Sequence, residues 1–136
     1  MLSSFQAYGE FIYTIQSRFA GVRASTLVLK PRGVTMGELT GELEFDQGVV
    51  LRVMERIDFD AARIEYYSYT VSRAGERLYW YDPQPHPTDA TLASTHPHHK
   101  HTAPDLKHHR VRAPGLSFTQ PNLPFLIQEI ETPFGT

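Results

Sequence analysis

The chain contains no cysteine, which removes disulfides, thiolate nucleophiles and Cys-ligated zinc together. Any metal would have to be held by histidine and carboxylate. The same lack suits a reducing cytoplasm. Long apolar runs are missing too, with no stretch near the ~20 residues that span a bilayer. Met1-Leu2-Ser3-Ser4-Phe5 has neither the basic start nor the apolar run of a signal peptide. No GxGxxG or P-loop sequence is present, which argues against the common phosphate-cradling loops. A single cytoplasmic domain over residues 1–136, with no membrane contact, is expected.

Histidine is the residue the chain concentrates. All seven histidines fall between His86 and His109, most of them in Thr95-His96-Pro97-His98-His99-Lys100-His101. Imidazole both gives and takes a proton near neutral pH and is the commonest metal ligand. The run is interior and broken by Pro97 and Lys100, unlike a purification tag. A charge dipole accompanies it. Acids dominate from Glu38 to Asp60, whereas Lys100, Lys107, Arg110 and Arg112 face only Asp105 between His96 and Arg112. The second segment favours anions, increasingly so as histidines protonate.

Periodicity supplies the elements. Phe5, Tyr8, Ile12, Ile15 and Phe19 form one helical stripe, with Ser3 or Ser4 as cap and Gly21 as stop. Ser25 to Lys30 reads as a strand. Leu39, Gly41, Leu43 and Phe45 alternate with polar residues in the next, and Asp46-Gln47-Gly48 turns the chain. Val49 to Ile57 points Val49, Leu51, Val53 and Ile57 to the core, and the same parity carries Glu55. A carboxylate there is paired, neutralised or functional. Arg63 to Val71 and Glu76 to Tyr81 form an aromatic hairpin. The proline- and histidine-rich stretch from Asp82 to Pro104 reads as a loop against the sheet. Lys107 to Arg112 is a candidate last strand. Asn122 caps a final helix carrying Leu123, Leu126, Ile127 and Ile130. The expected fold is α+β: an antiparallel meander of about five strands, a helix at each end and a His/Pro-rich loop.

Residues two apart in extended chain share a side, so His96 with His98, and His99 with His101, are pairs. Such a pair can act as base and acid or can chelate. The cations Lys100, Arg110 and Arg112 favour the first use, because they repel a dication and attract a phosphodiester. A metal-free ribonuclease needs one group to deprotonate the 2′-hydroxyl, another to protonate the leaving 5′-oxygen, and a cation at the phosphate. No cofactor is then required. The alternative is a module in which His86, His98 and His101 hold Zn²⁺ or another divalent ion; a third reading is a non-catalytic interaction protein. Ser117 and Thr119 are too isolated to be nucleophiles beside a histidine. Glu55 is expected to orient a ring by accepting its Nδ1–H.

Several of these residues also form a pattern. Tyr67-Ser68-Tyr69, then Tyr81-Asp82 with Pro85-His86, then Pro97-His98-His99-Lys100-His101, after an Asp-x-Gly turn and a strand with Glu55, resemble the TumE-type toxins of prokaryotic toxin–antitoxin pairs. The similarity runs from about Ser25 to Ile130. Family members often show Arg before the Tyr-Asp and Asn after it, where this chain has Trp80 and Pro83. The resemblance implies a growth-inhibiting toxin acting on RNA and neutralised by a helix-turn-helix antitoxin encoded nearby; a homodimer is left open. It makes His86, His98 and His101 the centre, with His98 and His101 as the acid/base pair and Asp82 orienting a ring. Lys100, Arg110 and Arg112 are candidates for phosphate contact. His99 faces away from His98 in extended chain, and His108 and His109 fall outside the pattern.

Overall fold

A computed structural model describes residues 1–83, 99–102, 110–112 and 115–132. The α+β reading holds, with more strands than expected. Helix α1 (Phe5–Tyr13) starts where the Ser4 hydroxyl accepts from the Ala7 amide at 3.1 Å. The single expected helix is interrupted at Thr14, whose hydroxyl donates back to the Glu10 carbonyl at 2.6 Å. This local bond competes with the helical ladder. A short α2 (Ile15–Arg18) follows. Tyr8, Phe11, Ile12 and Ile15 are buried, while Phe5 stays exposed.

The expected strand from Ser25 to Lys30 is two pieces, β1 (Ala24–Ser25) and β2 (Val28–Arg32), both paired with β3 (Met36–Glu44). Gly41 makes the split feasible. Its φ is +138°, and a Cβ there would lie 2.5 Å from the Thr26 carbonyl oxygen where the chain passes from β1 to β2. After a 3-10 turn at Asp46–Gly48, the meander continues through β4 (Val49–Asp58), β5 (Arg63–Arg73) and β6 (Glu76–Asp82). A two-residue turn joins β5 to β6, with Ala74 at φ +54° and Gly75 at +80°. Both angles suit a tight hairpin.

The stretch read as a loop is partly sheet. His99–Thr102 forms β7, antiparallel to β6, and Arg110–Arg112 forms β8 beside it. Helix α3 (Leu123–Glu131) closes the described chain. Asn122 stands at its start but, contrary to expectation, makes no side-chain cap there; it holds the preceding loop instead. Its Oδ1 accepts from the Ser117 amide at 2.8 Å, and its Nδ2 donates to the Ser117 carbonyl and the Tyr69 hydroxyl, each at 3.0 Å.

The two long helices lie on one face of the sheet. Tyr8 of α1 reaches Glu55 of β4, and Glu129 of α3 reaches Tyr81 of β6. Leu39, Leu51, Val53, Ile57, Tyr69 and Val71 pack from the sheet against Ile12, Ile15, Leu123, Leu126 and Ile127. Each fully buried aliphatic side chain contributes roughly 1.5–3 kcal/mol. This is the inner face; the other is the outer face.

Candidate active site

Strands β6 and β7 bring together the two sequence elements that the histidine pattern singled out. Their register pairs Trp80 with His101, Tyr81 with Lys100, and Asp82 with His99. Because Tyr79 and Tyr81 are buried inward, Trp80, Asp82 and His101 belong to the outer face. There His101 Nε2 lies 3.2 Å from Asp82 Oδ2, and the His101 side chain is 4% exposed. Its ring stacks on Trp80, with centroids 4.7 Å apart and planes at 13°. The contact is an ion pair when the imidazole carries its second proton. Register sets His99 between Asp82 and Arg112, and His101 between Trp80 and Arg110.

Trp80 also carries the guanidinium of Arg77, centred 4.3 Å from its ring. Residues 77 and 80 would face opposite ways in a regular strand. A bulge changes that: Val71 pairs with Tyr79 but Ser72 pairs with Arg77, so β6 spends two residues against one of β5. The extra residue turns Arg77 to the face of Trp80. Parity counting misses Arg77 for this reason. Beyond it lies an open polar hollow of about 370 Å³ lined by Glu42, Arg52, Thr70, Ser72, Gly75 and Arg77. A larger hollow, about 490 Å³, lies beside Phe45, Val49, Arg73 and Ile130, with no histidine among its described lining residues.

Lys100, expected at a phosphate, sits on the inner side. Its Nζ donates to Glu129 at 3.1 Å and lies 4.2 Å from the centre of the Tyr79 ring. The Tyr81 hydroxyl donates to the same carboxylate at 2.7 Å. Burial, followed by the hydrogen bond to Glu129, pushes the Tyr81 pKa far up, so it remains a proton donor. Glu129 was not legible as a partner because it comes from a helix 29 residues downstream.

Glu55 faces the core, as parity predicts, and is fully buried. Its partners are tyrosines rather than the expected imidazole: Tyr8 and Tyr69 each donate a hydroxyl at 2.5 Å, one to each carboxylate oxygen. Burial raises the Glu55 pKa, and the bonds from Tyr69 and Tyr8 oppose that rise without cancelling it. Burial and the nearby carboxylate raise both tyrosines in turn. The cluster links α1, β4, β5 and, through Asn122, the loop before α3.

His86, His98, His108 and His109 lie outside the described residues, while His99, Arg110 and Arg112 are placed by register alone. Among the described residues no three His, Asp or Glu side chains gather to hold a metal ion. Ser117 and Thr119 hydrogen-bond each other and the local backbone.

A toxin-family model, Toxin TumE, matches residues 13–133. The chain belongs to the TumE toxin family. The TumE match spans α2, every strand and α3, and begins at the last residue of α1. Membership implies a toxin function and an antitoxin partner. No curated protein and no solved structure matches the chain. Among the described residues no helix is long and apolar enough to cross a membrane.

Proposed function

We propose that this TumE-family protein inhibits growth by cutting RNA without a metal, with His101 as a proton-transferring group that Asp82 orients. The observation that supports it is the 3.2 Å contact between Asp82 Oδ2 and His101 Nε2. It joins the Tyr-Asp element to the Pro-His-His-Lys-His element across neighbouring strands. A carboxylate beside an imidazole holds its tautomer and stabilises the imidazolium that forms on proton uptake. In the reaction, a base removes the proton of a 2′-hydroxyl, whose oxygen attacks the adjacent phosphorus. The 5′-oxygen leaves with a proton from an acid, giving a 2′,3′-cyclic phosphate and a free 5′-hydroxyl. His101 takes one of these two roles, and His98 or His86 takes the other.

Arg110 and Arg112 serve the phosphate in this scheme, since register sets both opposite the histidines of β7. Lys100 supports the strand from the inner side through Glu129. The antitoxin partner is a helix-turn-helix protein encoded nearby. Incubation of purified protein with cellular RNA, compared with His101→Ala, His98→Ala and Asp82→Asn, tests the assignment. Loss of the acid/base group is expected to cost roughly 10²–10⁴-fold in cleavage rate, and Asp82→Asn less. RNA left intact by the natural chain, or cleavage and growth inhibition unchanged in both histidine variants, overturns it.

A further inference from the structure

The polar hollow on the outer face has a composition that the acid/base pair does not explain. Arg52, Arg77, Thr70 and Ser72 supply two guanidinium groups and two hydroxyls, with one carboxylate, Glu42. Gly75 lines the rim in a left-handed conformation, and among the described residues a Cβ there would meet nothing within 4 Å. Arg77 is brought to this face by the bulge and lies over Trp80. A guanidinium laid on an aromatic ring keeps its donor edge available and loses little freedom when it binds.

Arg52 is not idle: its Nε and Nη2 both donate to Glu42 Oε2, at 3.2 and 3.1 Å. The pair is exposed, at 75% for Arg52 and 38% for Glu42. Exposed pairs contribute little, so a phosphate oxygen can replace the carboxylate on the guanidinium. The register then relates the hollow to the histidine. Arg52 pairs with Thr70, Thr70 with Trp80, and Trp80 with His101, forming one row across four strands. At ~4.8 Å between neighbouring strands, the row spans roughly 14 Å from Arg52 to His101. A strand of RNA laid along it would meet the hollow a few nucleotides from the bond at His101.

We infer, resting on the RNA-cleaving reading above, that the hollow between Arg52 and Arg77 binds the phosphodiester backbone of single-stranded RNA flanking the scissile bond. Contact is with phosphate rather than base edges, so it carries affinity and not sequence preference. Glu42 acts as a competing internal anion that the RNA displaces.

The test is binding of a fluorescent 2′-O-methyl decauridylate, which cannot be cleaved, across a salt series. Arg52→Gln and Arg77→Gln are each expected to weaken binding several-fold and to lower the salt slope by about 0.7. Glu42→Gln is expected to tighten binding, a gain that misfolding cannot produce. Arg18→Gln, on α2, is expected to bind as the natural chain does. No binding by the natural chain, an unchanged affinity and slope in both arginine variants, or no gain in Glu42→Gln overturns the assignment. A natural chain that binds with this arginine dependence but leaves cleavable RNA intact supports the hollow and refutes catalysis. Cleavage that needs His101 but shows the same KM in both arginine variants refutes the hollow and leaves catalysis standing.

Discussion

Glu55 and Asp82 are two acids on opposite faces of one sheet, in opposite surroundings. Glu55 is fully buried and, among the described residues, receives only hydroxyl donors, from Tyr8 and Tyr69. Asp82 stays 18% exposed and faces an imidazole. A carboxylate in a dry pocket with neutral donors holds elements together and is penalised for ionising. One at a strand end beside histidine can exchange its partner's proton with a substrate. Tyr67, buried inward, senses the outer acid: burial and then the Asp82 charge raise its pKa. The inner acid therefore belongs to the fold, while the outer one stands beside an imidazole.

Removing the inner acid should break this contrast most visibly. Glu55→Ala leaves two buried tyrosine hydroxyls without their acceptor and opens a cavity, at an expected cost of roughly 3–5 kcal/mol. Urea unfolding followed by circular dichroism measures it. Tyr69→Phe takes away one donor to Glu55 and the acceptor of Asn122. It should cost about 1–3 kcal/mol in the same assay. Asp82→Asn should cost only about 1 kcal/mol while lowering RNA cleavage; equal destabilisation by Glu55→Ala and Asp82→Asn would erase the distinction between the faces.

The subtlest test is a pH profile. Burial raises the folded-state pKa of Glu55 above its unfolded value of ~4.3. The native state then holds that proton more tightly than the unfolded one. The stabilisation is fully present below ~4.3 and is lost as pH rises through the folded-state pKa. Glutamine does not titrate, so unfolding free energies of Glu55→Gln should lack this decline. A decline identical in both proteins would show that another group causes it.

The inner face was largely legible in the sequence, because strict alternation in β4 assigns Leu51, Val53, Glu55 and Ile57 to one side. Tyr8 and Tyr69 were visible as a helix-stripe residue and a hairpin aromatic, but the carboxylate that joins them lies far away in sequence. Strand β7 was hidden for a different reason. His99-Lys100-His101-Thr102 contains no apolar residue, so its place depends on partners: Trp80 stacked on His101, and Glu129 on Lys100. The Asp82–His101 contact joins two residues that the sequence pattern singled out, whereas Arg77 was concealed by a one-residue bulge that no periodicity records.

The pinch at Gly41 has a consequence for how other chains can attach. It divides the first edge of the sheet into ladders of two and five residues, and the longer one contains Pro31, which has no amide hydrogen to offer. A visiting strand finds no uninterrupted row of main-chain donors there, which guards against stacking of copies into fibres. Any chain that docked on this border would do so through side chains, since lengthening the sheet along it is obstructed.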